Sequence, residues 1–106
     1  MKKYCVVQTT FKSKIEAKKI IKILLKNKLI ACAQISTIDS FYLWNGEVVN
    51  EKEIAVSLKT KIDFYKKVEE VIIKNHSYEI PQIIMLPIKN ASQSYLEWIE
   101  FSLKNN

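Results

Sequence analysis

The chain has 106 residues, which suffices for one domain with a hydrophobic core of its own. Its net charge is +6, and every fixed positive charge belongs to lysine because arginine is absent. Arginine supplies the planar fork that most often reads base edges and grips phosphate oxygens. The lysines are also scattered along the sequence. We therefore expect no nucleic-acid partner.

Two cysteines, Cys5 and Cys32, each lie inside an apolar run and form no CxxC or other short metal-ligand spacing. This placement favours two buried thiols in a reducing cytoplasm. No apolar run approaches the roughly 20 residues that a bilayer-spanning helix needs, and the N-terminus has no apolar signal region. We expect a cytoplasmic protein without a membrane partner.

The first half of the chain predicts a strand, a helix and a second strand. The β-branched run from Tyr4 to Thr10 is typical of a strand. Ser13 and Glu16 form an S-x-x-E capping box, and apolar residues at helical spacing follow over about 14 positions. The small and β-branched residues from Leu29 to Ile38 then fit a central strand.

The middle of the chain predicts a long β-hairpin. Asp39 and Ser40 indicate a bend or bulge before FYLW, and Asn45-Gly46 then predicts a type I′ turn. Both arms exceed an average strand, so the tip should project beyond the core. Because an exposed edge of this kind invites aggregation, a symmetric homo-oligomer that covers it is the natural solution.

The second half predicts a helix over about residues 63–75, a strand within QIIMLPIK that ends or has an edge at Pro87, and a last helix. That helix should start at Ser94, with Glu97 closing its capping box. The order is β-α-β-β-α-β with an extra C-terminal helix. It predicts one α+β domain over residues 1–106, a ferredoxin-like antiparallel sheet with helices on one face.

Several catalytic classes lack the residues they need. One glycine cannot build a phosphate-binding loop, and neither cysteine has a base nearby in sequence. An acyl-phosphate hydrolase of this fold needs an arginine to hold the phosphate, and a metal chaperone of this fold needs CxxC. We expect no enzymatic activity.

A polar and aromatic set remains as the candidate site. It consists of Tyr42, Trp44, Glu53, Lys59, His76, Tyr78, Glu79, Tyr95 and Trp98. One reading places the aromatic residues at the edge of the core or in a subunit interface. The other reading is a cleft between subunits, in which His76 is a metal ligand and Glu79 orients it or binds beside it. A single histidine would then need ligands from another subunit or from a small molecule.

The motifs resemble those of the CutA family of divalent-ion tolerance proteins. They are ACAQI (31–35), SFYLWNGEVVNEKEIAVSLKT (40–60), HSYEIPQIIMLPI (76–88) and YLEWI (95–99). The resemblance implies a cytoplasmic homotrimer, similar in plan to PII signalling proteins, that is linked to tolerance of copper above all and has no established reaction. It also implies an inter-subunit cleft lined by Trp44, Glu53, Lys59, His76, Tyr78 and Glu79, with Tyr95 and Trp98 nearby.

Two departures from the family bear on copper. Thr9 stands where some relatives have cysteine, and Asn75 stands where some have a second histidine. Of that ligand set only His76 remains, and copper prefers imidazole and thiolate. We therefore expect a copper site that is weaker than in those relatives or absent. The alternative is a PII-like trimeric module for small-molecule binding or signalling, without a metal role.

Overall fold

The computed structural model describes residues 3–105, without the side chain of residue 105. Its elements are β1 Tyr4–Phe11, α1 Lys14–Lys26, β2 Cys32–Trp44, β3 Glu47–Lys61, α2 Tyr65–Asn75, β4 Ile83–Pro87 and α3 Gln93–Asn105. A short 3-10 turn, Ile62–Phe64, precedes α2. The predicted element order is therefore confirmed. No helix within the described residues is long and apolar enough to cross a membrane.

The four strands form one antiparallel sheet in the order β2-β3-β1-β4. This is the ferredoxin-like arrangement expected from the sequence. The prediction that the second strand is central was wrong, because β2 pairs only with β3 and lies at an edge. The small side chains that suggested a central strand lie instead in a partly exposed edge strand. The other edge is β4, which ends at Pro87 as predicted.

The core lies between one face of the sheet and the helices α1 and α2. Its buried members are Cys5, Val7, Phe11, Ala17, Ile20, Leu24, Ile30, Ile54, Val56, Leu58, Val68 and Ile72. Burial raises the pKa of the Cys5 thiol to about 11, so Cys5 is an inert core residue. Cys32 is only half-buried, contrary to the expectation of two buried thiols, and both cysteines are free.

Helix α3 contacts the side chains of the opposite sheet face. Tyr4 and Lys61, which alternate with core residues, both contact Glu100 of this helix. The expected placement of helices on one face thus holds for α1 and α2, whereas α3 covers part of the other face. The predicted start at Ser94 was wrong. Ser92 caps the helix instead, through its hydroxyl and its carbonyl, both of which accept from the Tyr95 N–H.

The β2–β3 hairpin is continuous and projects from the sheet. Its register runs unbroken from Cys32 opposite Lys59 to Trp44 opposite Glu47, so the expected bend or bulge at positions 39 and 40 does not occur. Asn45 and Gly46 have φ values of 50° and 79°, as a type I′ turn requires. The molecule accordingly measures 46 × 27 × 21 Å along its principal axes.

The outer part of this hairpin is a two-stranded ribbon, residues 38–44 paired with residues 47–53. Strand β3 pairs with β1 only from Ile54 onward, which leaves seven pairs without a third strand. Large apolar side chains on the ribbon are between 65% and 73% exposed, namely Phe41, Leu43, Trp44 and Val48. Two-stranded hairpins are marginally stable in water. The ribbon therefore leaves these large apolar side chains uncovered by the rest of the described chain.

Candidate functional site

The hairpin-base cluster consists of Ser40, Glu53, His76 and Tyr78, at the point where the ribbon leaves the sheet. The chain after α2 brings His76 and Tyr78 against the end of β1 and the start of the ribbon. Three of the predicted site residues meet here within one chain. Their contacts form a continuous path from the carbonyl of Thr10 to the carboxylate of Glu53.

The side chain of His76 is fully buried, and both nitrogens of its ring have backbone partners. Nε2 lies 2.7 Å from the carbonyl oxygen of Thr10, and Nδ1 accepts the Tyr78 N–H at 3.0 Å. Because a carbonyl can only accept, Nε2 carries a proton in this arrangement, and Nδ1 is the acceptor. The ring also stacks on Phe11 at 4.6 Å. His76 thus holds the segment after α2 against the end of β1.

Glu16 supports the same segment from the start of α1. Ser13 accepts the Glu16 N–H at 3.2 Å, which confirms the first half of the predicted capping box. The Glu16 carboxylate accepts the Ser77 N–H at 3.2 Å and lies 3.5 Å from Nδ1 of His76. The Glu16 carboxylate therefore holds in place a loop whose Ser77 lies 61 residues later in the sequence.

Glu53 accepts hydrogen bonds from two hydroxyls. The Tyr78 hydroxyl lies 2.9 Å from Oε2, and the Ser40 hydroxyl lies 2.6 Å from Oε1. Burial of the phenol, and then its contact with Glu53, raise the pKa of Tyr78 well above 10. Next along the ribbon, the Tyr42 hydroxyl donates to Glu51. Among residues 3–105 no ion pair reaches Glu51 or Glu53, so this end of the sheet is acidic.

Three other predicted site residues lie together elsewhere, where α3 crosses the start of β2. Tyr95 stacks on Trp98 at 5.8 Å, and its hydroxyl lies 3.6 Å from the Cys32 sulfur. Lys59 is paired with Cys32 across the sheet and donates to Gln34 at 2.7 Å. Burial, followed by the contact with Cys32, raises the pKa of Tyr95 to about 12.

The eight predicted cleft residues do not meet within one chain. Glu53 and Lys59 are six residues apart on β3, or roughly 20 Å at the rise of a strand. Trp44 lies opposite Glu47, about the same distance away in the other direction, and Glu79 is exposed. Within one chain the set therefore falls into three groups along β3.

Sequence reasoning missed Ser40, Glu16 and Glu51 as members of this region. A signal for two of them was available, because the two-residue Asn45-Gly46 turn fixes the register of the arms. That register places Ser40 opposite Glu51 and diagonally beside Glu53. No comparable signal existed for Glu16, whose contact with Ser77 depends on the tertiary fold.

The polar groups of one chain do not fit a copper ion. No group of three or more His, Cys, Asp or Glu side chains in the described chain could hold a metal. A metal on Nδ1 of His76 would have to replace the Tyr78 N–H. Thr9 is buried in the sheet, and the Asn75 amide donates to the Val71 carbonyl at 2.8 Å. Neither position adds a ligand to His76.

A family profile described as "CutA1 divalent ion tolerance protein" matches residues 5–102. The chain belongs to the CutA family. The family that the motifs indicated is therefore confirmed. The divalent-cation tolerance protein CutA of Pyrococcus horikoshii is 37% identical over 94 residues, which are 89% of this chain and 92% of that protein.

Solved structures of CutA proteins share the fold over almost the whole chain. The divalent ion tolerance protein CutA1 from Ehrlichia chaffeensis has a TM-score of 0.90 at 38% identity and covers 97% of both chains. The protein from Archaeoglobus fulgidus, described as a periplasmic divalent cation tolerance protein CutA, has a TM-score of 0.90 at 33% identity. It covers 95% of this chain and 99% of its own. The projecting hairpin is thus part of a shared architecture.

Proposed function

We propose that this CutA protein is a homotrimeric binding module for divalent-cation tolerance, with its ligand site in a cleft between subunits. In this proposal the protein binds rather than catalyses. The observation that carries it is Glu53, a half-buried carboxylate that accepts from two hydroxyls and forms no ion pair among the described residues. A divalent ion bound there would neutralise this charge.

Self-association is supported by the ribbon and by the distribution of the predicted cleft residues. The seven residue pairs of the ribbon carry large exposed apolar side chains, which need cover that the described part of one chain does not provide. The three groups along β3 can form one cleft only if neighbouring subunits bring them together. The proposed number of three subunits comes from the resemblance to the CutA family.

The donor set favours a hard divalent cation over copper. Carboxylate, hydroxyl and water ligands suit magnesium, calcium and manganese, whereas copper prefers imidazole and thiolate. Glu53 supplies the carboxylate, and Glu79 is exposed on the same loop as Tyr78. His76 would act by positioning Tyr78, and a copper ion on its ring would require that loop to open.

Thermal unfolding with added Mn²⁺ or Cu²⁺ tests this proposal. We expect Mn²⁺ at 100 times its dissociation constant to stabilise the wild type by about 2.7 kcal/mol. Glu53→Gln should abolish that shift, and Glu97→Gln, an exposed carboxylate on α3, should retain it. An equal Mn²⁺ shift in both variants would rule out Glu53 as a ligand. A Cu²⁺ shift that disappears in His76→Gln would instead support the imidazole site.

A PII-like module for an organic ligand is the second candidate. It is favoured by the Tyr95–Trp98 stack, in which Trp98 is 43% exposed and presents a flat aromatic surface outside the core. Mass spectrometry of the purified protein under native conditions would show a copurified organic molecule. Loss of that molecule in Trp98→Ala, but not in Trp44→Ala, would locate it on this stack.

The expected cytoplasmic location stays a prediction. It rests on two cysteines that are both free. Fractionation of the source cell into membrane, cytoplasmic and exported fractions tests it.

A further inference from the structure

A cleft of about 540 Å³ lies at the end of β1 that is remote from the hairpin-base cluster. Its walls are the start of β1, the segment after β4 and one side of α3. Lys3, Tyr4, Lys89, Leu96 and Lys104 line it, together with Glu97 and Glu100. Pockets for small ligands have volumes of about 300 to 1,000 Å³, so the cleft has the size of a binding site.

Glu100 organises the charges at this cleft. Its Oε1 accepts the Tyr4 hydroxyl at 2.7 Å and lies 3.1 Å from the Lys3 ammonium. Its Oε2 lies 2.5 Å from Lys61 and 3.3 Å from Lys104. These donors, Lys61 foremost, hold the pKa of the Glu100 carboxyl far below its usual value. We call these five residues the Glu100 cluster.

The cleft carries more positive than negative charge. Lys61 is only 15% exposed and is committed to Glu100, whereas Lys3 and Lys104 are 60% and 66% exposed at the rim. No ion pair within residues 3–105 involves Lys89. Three lysines and two glutamates line the cleft, and Lys61 lies behind Glu100. These four lysines and two glutamates together leave an excess of two positive charges.

The inner wall of the same cleft is apolar. Ile88 and Leu96 are half-buried there, and the Tyr4 ring lies beside them with its hydroxyl already bound to Glu100. The Ile88 N–H donates to the Tyr4 carbonyl at 2.9 Å, which fixes this wall to the sheet. A ligand that satisfies both parts of the cleft needs an anionic group and an apolar body.

We infer that this cleft binds a small organic anion, a carboxylate or phosphate monoester on a flat apolar body. The anionic group would contact Lys3, Lys89 and Lys104, and the body would lie on Tyr4 and Leu96. Ammonium groups on flexible stems act as point charges and accept either anion, unlike the planar fork of arginine. The site is independent of the proposed cation site, because the two lie at opposite ends of β1.

Titration of the ¹⁵N-labelled full chain, followed by NMR, tests this inference with three probes. Phenyl phosphate and benzoate represent the two anions, and benzyl alcohol has the ring without the charge. We expect saturable shifts of amides in residues 3–4 and 88–104 with at least one anion, and much smaller shifts with the alcohol. The more tightly bound anion identifies the preferred group. Equal shifts with the alcohol, or no saturable shift with either anion, would overturn the inference.

Matched lysine variants test the role of charge. Lys3→Gln/Lys104→Gln should weaken binding by roughly 2- to 30-fold, the range expected for two exposed ionic contacts. Lys18→Gln/Lys19→Gln on α1 keeps the same net charge and should bind like the wild type. Lys89→Gln repeats the test without disturbing Glu100. Equal weakening in the α1 variant, or none in the cleft variants, would contradict a specific site. Glu53→Gln should leave anion binding unchanged, which separates this test from that of the proposed function.

Discussion

The two ends of β1 carry clusters built around the same pair of groups, a glutamate and a tyrosine hydroxyl, with opposite electrostatic results. In the hairpin-base cluster Glu53 meets two hydroxyls, Tyr78 and Ser40, and keeps its charge uncompensated. In the Glu100 cluster the carboxylate meets Tyr4 and three ammonium groups, and positive charge remains in excess. The partners around each carboxylate therefore decide whether that end of the sheet attracts cations or anions.

The two clusters also differ in how they depend on the fold. In the hairpin-base cluster the buried imidazole of His76 bonds to the backbone of Thr10 and Tyr78. Buried contacts therefore fix the geometry of this cluster. The Glu100 cluster rests largely on exposed lysines, which solvent and salt screen. We therefore expect substitutions in the first cluster to cost more stability than equivalent substitutions in the second.

The largest expected effect is that of His76→Ala. It leaves the Thr10 carbonyl and the Tyr78 N–H without partners and removes the stack on Phe11. We expect a loss of about 3 kcal/mol in the free energy of unfolding, measured by urea denaturation at fixed protein concentration. Ser77→Ala, at an exposed neighbouring position, should change it by less than about 0.5 kcal/mol. A His76→Ala protein as stable as Ser77→Ala would refute the structural role of the imidazole.

The hydroxyls of Tyr78 and Tyr4 should contribute differently to stability. Tyr78→Phe leaves Glu53 with Ser40 alone, and we expect a loss of about 1.5 kcal/mol because the bond to a charged acceptor is half-buried. Tyr4→Phe leaves Glu100 with three ammonium groups, so the loss should be smaller, about 0.5 kcal/mol. The same denaturation experiment measures both. A larger loss for Tyr4→Phe than for Tyr78→Phe would contradict the stronger dependence of Glu53 on its phenol.

Stability at alkaline pH should depend on three half-buried phenols. The folded-state pKa of Tyr78 is raised above 10, and those of Tyr65 and Tyr95 are raised to about 12. Above pH 10 the unfolded chain loses these protons while the folded chain keeps them. The free energy of unfolding should therefore fall as the pH rises from 10 towards 12. Tyr78→Phe should flatten this fall, and an unchanged slope would show that Tyr78 ionises normally.

The smallest expected effect concerns Glu100 at acid pH. Its folded-state pKa is lowered, so its stabilisation is present above the ordinary value of 4.5 and is lost as the pH falls below it. Thermal unfolding curves of the wild type and Glu100→Gln should therefore converge as the pH drops below 4.5. Added salt should reduce the difference at neutral pH, because exposed lysines supply part of it. A difference that persists at low pH would mean that Glu100 stabilises the fold by another route.

The sequence predicts the fold well because its strongest signals are local. Asn45-Gly46 determines the turn, Ser13 marks the start of α1, and the alternation of apolar residues fixes the sheet. The wrong predictions concern features that tertiary contacts determine. The Asp39–Lys52 ion pair and the Ser40–Glu53 bond cross a continuous ladder at the place where the types of residues 39 and 40 favour a bend.

The candidate site was only partly predictable. The pairing of Tyr78 with Glu53 and the burial of His76 depend on how the loop after α2 folds over the end of β1. Likewise, Lys3, Lys61 and Lys104 are far apart in sequence, and only the fold brings them to one carboxylate. Sequence spacing carries no signal for contacts of that range.

Native mass spectrometry with Mn²⁺ is the most direct test of the proposed trimer and its cation site, because it counts chains and ions in one spectrum. We expect an assembly of three 12.4 kDa chains that takes up Mn²⁺, an assembly of the same size without bound Mn²⁺ for Glu53→Gln, and normal uptake for Glu97→Gln. A monomer, or a Glu53→Gln assembly that binds as many ions as the wild type, would contradict the proposal.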